Sequence, residues 1–302
     1  MRRLGAVVAT AVLASAAQAE DVDLVGTFPA GSADVAMLRS IAVDRFVGRG
    51  GAEVGAALER ALTKPGIDGL VHFIVRSDPN AADGVVQGAV STNVSSEDFV
   101  RTDERCVERD ERKKCVRKEK IRIDCTRRFV RMTAEARVID DHDRRVLWAG
   151  APERTKQTEW CEGDISPDSV ATDVERLSGE IANDLRRTFA PTVRTYSVRF
   201  REKTKGLNPV QTAQFKGLVR QSQHDLPLAC QGWSGLERQA PDHVATVFDL
   251  GVCAEAAGDL EGALARYERA SQLLGPHNEA ENDANRVRGL IAARDLARRR
   301  GV

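Results

Sequence analysis

The spacing of apolar residues changes once along this chain of 302 residues, and the change separates two folding classes. Up to about residue 200, apolar and polar side chains alternate in short runs, with stretches of helical spacing between them. Beyond the polar, turn-rich segment 204–210, the apolar spacing is helical. The sequence therefore predicts an α+β domain over residues 20–203, with a mixed sheet and flanking helices. A linker over 204–210 and an all-α domain over 211–302 are expected to follow.

The first nineteen residues have the composition of an export signal. Arg2 and Arg3 precede an apolar run over residues 4–17, and Ala17-Gln18-Ala19 offers the small side chains that signal peptidase accepts. The run is shorter than the roughly 20 residues of a membrane-spanning helix. We therefore expect a signal peptide over residues 1–19, cleavage after Ala19, and a periplasmic protein that does not span the membrane.

The chain contains six cysteines: Cys106, Cys115, Cys125, Cys161, Cys230 and Cys253. An even number of cysteines in an exported chain predicts disulfides. The first two flank a polar turn. Residues 140–144 form a second turn, and antiparallel strands centred near residue 143 would place Cys125 opposite Cys161. The remaining pair is Cys230 with Cys253.

Local patterns predict the elements of the first domain. Strands are expected over 40–47, 70–75, 84–94, 120–140, 145–149 and 196–200, and helices over 52–62 and 169–189. Within 120–140 the apolar positions change from odd to even numbers near Arg127 and Arg128. This change predicts a β-bulge or a strand break there.

The C-terminal part repeats at 34 residues, the period of tetratricopeptide (TPR) repeats. Gly217 recurs as Gly251, Ala229 as Ala263, and Trp233 as Tyr267. Small residues let two helices approach closely, and the aromatic side chain fills the space between them. A plain pair of helical hairpins is the alternative. Residues that share one face of the first helix in each unit are predicted to line a partner-binding groove: Gln214, Leu218, Gln221, Phe248, Val252 and Glu255.

Three segments of the first domain carry a family resemblance. They are Ile41-Ala42-Val43 with the following glycines and helix, residues 82–90 (ADGVVQGAV), and the hairpin 137–149. In this order they resemble the periplasmic α/β domain of curli-secretion (CsgG-like) proteins, which is related to penicillin-binding-protein activators and the N-terminal domain of TolB. Over residues 38–200 the resemblance implies a mixed sheet with flanking helices. The cysteine-bearing segment 100–128 departs from that plan, and a pore role is not implied.

Several function classes are disfavoured. Lys plus Arg and Asp plus Glu both number 45, so the chain lacks the basic excess typical of nucleic-acid binding. The five histidines are far apart in the sequence, and no nucleophile motif lies near them. Gly48–Gly51 lacks the Lys-Ser/Thr of a phosphate-binding loop, and Asp140–Asp143 fits a turn better than a metal site. We expect a non-catalytic protein without a cofactor or metal.

The leading hypothesis is a scaffold that binds other envelope proteins in assembly or maintenance of the cell envelope. The alternative uses the basic hairpin 105–131, where Arg and Lys are interleaved with acids, to bind an envelope glycan or another acidic polymer. A hairpin that is merely solvated is the simpler interpretation of the same residues. The partner, the pathway and the oligomeric state are not predicted.

Overall fold

A computed structural model describes residues 21–301, which form two compact units. The α/β unit contains residues 27–194 and 292–301, and the helical unit contains residues 21–26 and 195–291. The predicted signal peptide and its cleavage site lie outside the described residues. The contacts thus separate the units near residue 194, before the predicted linker 204–210, and assign the end of the last helix to the α/β unit.

Up to residue 199 the elements follow in the order β1 (Asp21–Phe28), α1 (Ala33–Ala36), β2 (Ser40–Val47), α2 (Gly51–Thr63), β3 (Ile74–Arg76), β4 (Gly84–Arg109), β5 (Cys115–Asp140), β6 (Val146–Gly150), β7 (Glu153–Cys161), α3 (Val170–Phe189) and β8 (Thr192–Arg199). The main sheet has the order β3-β2-β4-β5-β6, and β7 also pairs with β5. β1 and β8 form a separate two-stranded sheet. The predicted mixed α+β character is confirmed.

The main sheet combines parallel and antiparallel pairs. β2 is parallel to β3 and β4, whereas β5 is antiparallel to β4, β6 and β7. α2 and α3 bury apolar stripes, including Leu58 and Ile181, in one core with Val86, Met132 and Val138 of the sheet. Burial of such stripes is the main force that holds helices on a sheet.

The turn from β2 to α2 depends on glycine. Gly48 and Gly50 have φ values of 90° and 92°. A Cβ atom on Gly48 would lie 2.2 Å from the carbonyl oxygen of Val90, and one on Gly50 would lie 2.6 Å from Met132. Both the backbone conformation and the space therefore require glycine. This geometry explains Gly48–Gly51 as a tight strand-to-helix turn.

The hairpin of β4 and β5 is longer and more regular than the sequence pattern predicts. Its pairing runs without a shift from Gly84 opposite Asp140 to Cys106 opposite Lys118. The bulge predicted near Arg127 and Arg128 is therefore wrong. The change in apolar phase marks a change in the buried face, because Met132 and Val138 lie under the helices whereas Cys125 lies on the opposite face.

The three predicted disulfides are confirmed. Cys125 and Cys161 are direct partners in the pairing of β5 with β7, and their Cα atoms are 3.9 Å apart. Cys106–Cys115 and Cys230–Cys253 each have a Cα–Cα distance of 5.8 Å. The register centred near residue 143 is thus correct, since the same arithmetic places Thr133 opposite Glu153.

The remaining helices are α4 (Pro209–Ser222), α5 (Leu226–Glu237), α6 (Val244–Ala256), α7 (Leu260–Leu274) and α8 (Glu279–Arg300). Side-chain caps explain where three of them begin, since Asn208, Asp225 and Asp259 each accept a hydrogen bond from a backbone N–H of the first turn. Trp233 and Tyr267 are fully buried in the core of the helical unit. No helix among residues 21–301 is long and apolar enough to cross a membrane.

Candidate functional site

The two helical hairpins of the repeat pack in different ways. A Cβ atom on Gly251 of α6 would lie 2.8 Å from the ring of Tyr267 in α7, so these helices cross closely, as the repeat predicts. At the matching position of the first hairpin, a Cβ on Gly217 would have no neighbour within 4 Å. There Gly232 of α5 makes the close approach, to the side chain of Leu218. The 34-residue period thus describes the second hairpin better than the first.

Most of the residues predicted to line a groove are buried. Phe248 is 2% exposed, Val252 0%, Glu255 5% and Leu218 8%, while Gln214 and Gln221 are half-buried. The sequence predicts a common face for them but not what covers that face. The four buried residues belong to the interior of the helical unit, so their side chains do not line an open surface.

The chain's own segment 196–201, which is the end of β8 and the two residues after it, covers part of this face. The backbone N–H of Arg201 donates a hydrogen bond of 2.8 Å to Oδ1 of Asp249 in α6. The Arg201 guanidinium lies 5.8 Å from the ring centre of Phe248. Phe200 stacks on Trp233, with 5.1 Å between ring centres. Residues 196–201 thus cover part of the face on which Phe248 and Glu255 lie.

Glu255 is the centre of a buried polar cluster in the helical unit. Its carboxylate accepts hydrogen bonds of 2.8 Å from the hydroxyls of Tyr196 and Tyr267 and of 3.1 and 2.7 Å from Arg286. Burial, together with the negative charge of Glu255, raises the pKa of both tyrosines. Burial opposes the charge of Arg286, but its bonds to Glu255 and Asp283 outweigh that effect and raise its pKa. The cluster is therefore a satisfied ion pair with neutral phenols, which suits a structural role.

Asp249 was not singled out from the sequence. Its side chain is completely buried, Oδ2 has no partner, and burial raises its pKa well above the usual value. The available signal was one acidic residue within the apolar run Val247-Phe248-Asp249-Leu250. Because Oδ1 receives the Arg201 N–H, Asp249 holds the covering segment on α6.

The second candidate is the two-stranded end of the long hairpin, residues 100–124, which we call the ribbon. β7 pairs with β5 only over Cys125–Thr133, so no third strand borders the ribbon. Its ten residues per strand span roughly 30 Å. Cys125–Cys161 joins its base to β7, and Cys106–Cys115 joins its two strands near the tip.

The basic residues predicted as a hairpin surface fall into two groups. Near the base, Arg127 pairs with Glu97 and Glu159 at 2.7 and 2.5 Å. Arg128 donates to the buried Asp173 of α3 at 2.7 Å. On the ribbon, Lys118 and Arg117 pair with carboxylates. Six exposed side chains there make no hydrogen bond or ion pair within residues 21–301, and we call them the free ribbon cations: Arg105, Arg112, Lys113, Lys114, Lys120 and Arg122.

Among residues 21–301, no three His, Cys, Asp or Glu side chains are grouped as a metal site would require. In the turn 140–144, Asp140 and Asp143 instead accept backbone N–H groups of His142 and Arg145, both at 2.9 Å. These carboxylates shape the turn in the way that favours aspartate at such positions.

Comparisons with known proteins identify no relative. No family model and no curated protein matches the chain. Among solved structures, two of PelC dodecamers from Paraburkholderia phytofirmans, one of them a point variant, align with 15% and 16% identity. The alignments cover 55% of this chain and 98–99% of PelC, with a TM-score of 0.27. A likeness this low carries no conclusion about the chain.

Proposed function

We propose that the protein is a non-catalytic interaction protein of the cell envelope that docks on a partner protein through the tip of the ribbon. The free ribbon cations carry this proposal. They are exposed charges without partners on a projecting element that two disulfides hold in shape. A preformed element loses little conformational entropy on binding, so its charges can be presented at low cost.

The ribbon is better suited to docking than the helical array. Residues 196–201 cover part of the face of the array that a TPR-type ligand would use, whereas the ribbon has two strands and exposed Val100, Val107 and Val116. Apolar side chains among charges are typical of protein interfaces, in which the charges steer and orient the partner.

The mixed charge of the ribbon favours a protein over a polymer as the partner. Glu104, Glu108 and Glu119 are interleaved with the cations and pair with some of them. A polyanion would be repelled by these carboxylates, whereas a protein face can present both signs in matching positions. An acidic polymer such as an envelope glycan is the second candidate, which the unpaired charge of Arg112, Lys113 and Lys114 favours.

The disulfides support an oxidising compartment as the location of the protein. Each cysteine among residues 21–301 is bonded, and the thin ribbon has little core to hold it together without Cys106–Cys115. Disulfides of this kind persist in the periplasm and other oxidising compartments. The periplasm is therefore the location that we propose.

Photocrosslinking from the ribbon tests the proposal. A photoreactive residue at Val116 is placed in the unaltered protein and in a variant with Arg112, Lys113 and Lys114 replaced by Gln. The control carries Arg60→Gln, Lys64→Gln and Arg76→Gln, which remove three exposed charges elsewhere in the α/β unit.

We expect one defined protein adduct in native cells that the ribbon variant loses, the control retains and high salt weakens. An adduct to a polymer would favour the second candidate and overturn docking on a protein. An adduct that is equally strong in all three proteins, or none, would refute docking through the ribbon.

A further inference from the structure

A second candidate site lies within the α/β unit, away from the ribbon. It is a cavity of about 240 Å³ between the loop 66–72, the end of α3 with the start of β8, and the last turns of α8. All these residues belong to that one unit. Its walls are largely apolar and include Leu70, Val71, Ala293, Leu296 and Ala297.

Two guanidinium groups line the cavity, and neither forms an ion pair with a carboxylate among residues 21–301. Nη1 of Arg186 donates to the carbonyl oxygens of Ala190 and Pro191 at 3.3 and 2.9 Å. Nη2 of Arg300 donates to the carbonyl oxygens of Leu38 and His72 at 2.9 and 3.0 Å. These acceptors are neutral, so none of these four hydrogen bonds offsets the positive charges. Burial accordingly lowers the pKa of both arginines.

His72 adds no negative charge. Its Nε2 lies 3.0 Å from the carbonyl oxygen of Ala36, which can only accept, so Nε2 carries the proton. Nη1 of Arg300, which can only donate, lies 2.9 Å from Nδ1 and 3.1 Å from Nε2 of the ring. A donor this close requires an unprotonated ring nitrogen, and Nδ1 is the one that is not bonded to Ala36. The ring is therefore neutral in this arrangement. Burial, and then the charge of Arg300, lowers its pKa to about 4.

One carboxylate, Asp68, also lines the cavity. Its Oδ1 accepts the backbone N–H of Leu70 at 3.1 Å, and its negative charge raises the pKa of Arg186 without outweighing the effect of burial. Two cations and one anion leave the cavity with an excess of one positive charge. In addition, Nε of Arg300 is buried and has no hydrogen-bond partner in the described part of the chain, which is an unfilled hydrogen-bond position.

We propose that this cavity binds a small monocarboxylate with a short aliphatic chain. The carboxylate would accept hydrogen bonds from Arg186 and Arg300, as guanidinium groups favour, and the chain would lie against Leu70, Val71 and Leu296. A single negative charge balances the excess, whereas a phosphate dianion would leave a net negative charge. At about 30 Å³ per heavy atom, the volume that a water molecule takes, the cavity holds roughly eight such atoms. Hexanoate has this size.

The pKa of His72 reports binding directly. The NMR signals of the five histidines are titrated with and without hexanoate, and His72→Gln assigns the signal. Because a bound anion offsets the charge of Arg300, we expect the pKa of His72 to rise by roughly half a unit to one unit. Hexanol and inorganic phosphate serve as probes that lack the charge or the chain.

Two variants change the charge of the cavity in opposite directions. Arg186→Gln should weaken hexanoate binding at least about 10-fold, as loss of a charged hydrogen bond does. Arg187→Gln is the control, since Arg187 is exposed and paired with Asp184. Asp68→Asn keeps Oδ1 as an acceptor but removes the negative charge, so it should tighten binding several-fold. This second variant tests the proposal even where Arg186→Gln fails to fold.

The proposal is overturned by any of three results. The first is no shift of the His72 signal with hexanoate in either the unaltered protein or Asp68→Asn. The second is hexanol binding as tightly as hexanoate, which would reduce the site to an apolar pocket. The third is inorganic phosphate binding more tightly than hexanoate.

Discussion

Glu255 and Arg286 form a buried ion pair in the helical unit. The side chain of Glu255 is 0% exposed and that of Arg286 is 18% exposed. A pair of this kind contributes little when it is intact, because both groups have lost their hydration. Removal of one partner is nevertheless strongly destabilising, because the other remains charged in the interior.

Arg286→Met should therefore lower the free energy of unfolding of the helical unit by about 3–5 kcal/mol. The matched control is Arg288→Met on the same helix, whose exposed pair with Glu268 should contribute only about 0–1 kcal/mol. Urea unfolding followed by circular dichroism measures both. Equal effects of the two substitutions would show that the Glu255 cluster is not the core of this unit.

At the scale of the element, α6 and α7 can cross closely because residue 251 is a glycine and has no side chain. Gly251→Ala would place a methyl group 2.8 Å from the Tyr267 ring, and we expect a loss of about 1–3 kcal/mol of stability. Gly217→Ala has open space around it and should stabilise the protein by up to about 1 kcal/mol, because alanine favours the helix. Thermal unfolding of the two variants should thus shift in opposite directions, and a shift in the same direction would contradict the packing.

The stability of the end of α8 should depend on pH, because Arg300 in its last turn contacts His72. The pKa of His72 in the folded protein, about 4, lies below its ordinary value of 6.5, so the neutral ring stabilises the fold fully above pH 6.5. That contribution is lost as the pH falls from 6.5 to 4. Protonation turns Nδ1 into a donor and repels Arg300 and Arg186, while Asp68 offers partial compensation.

Hydrogen exchange of residues 296–301, corrected for the intrinsic effect of pH, should therefore accelerate over this range. His72→Gln should abolish the pH dependence, and His142→Gln, in an exposed turn, should not. Exchange that is unchanged between pH 6.5 and 4 would show that Arg300 does not depend on His72.

How well each element could be predicted depends on whether its sequence pattern carries information about its pairing and its length. The register of Cys125 opposite Cys161 was accessible, because a turn and two alternating strands determine which residues face each other. The full length of β4 and β5 was not, since an exposed ribbon has no buried face to produce alternation. β1 was missed, and β3 was predicted over 70–75 but is limited to Ile74–Arg76.

The groove illustrates the same limit for the helical unit. Periodicity showed that Phe248, Val252 and Glu255 share one face, and this is correct for any helix. It did not show that residues 196–201 cover that face, because such a contact joins segments about 50 residues apart. For this reason the docking site that we propose is the ribbon rather than the array.

At the scale of the whole molecule, the sequence boundary and the contact boundary differ for a physical reason. The apolar period changes at 204–210, where the helices begin, but residues 195–200 already pack in the core of the helical unit, including the buried Val198 and Phe200. Residues 292–301 contact the α/β unit although they continue α8. The period of apolar residues identifies helices and strands, whereas long-range contacts decide to which unit a residue belongs.

The three disulfides have a further consequence for how the protein is made. The six cysteines pair in sequence order, the first with the second, the third with the fourth and the fifth with the sixth, at separations of 9, 36 and 23 residues. In the periplasmic location that we propose, an oxidase that links thiols in their order of appearance during N-to-C translocation would form these bonds directly, with no mispaired intermediate for an isomerase to correct. We expect native yield to depend on the oxidase and to be unchanged in cells that lack the isomerase, as non-reducing peptide mapping can show. The disulfides would then form in the order in which their cysteines are synthesised.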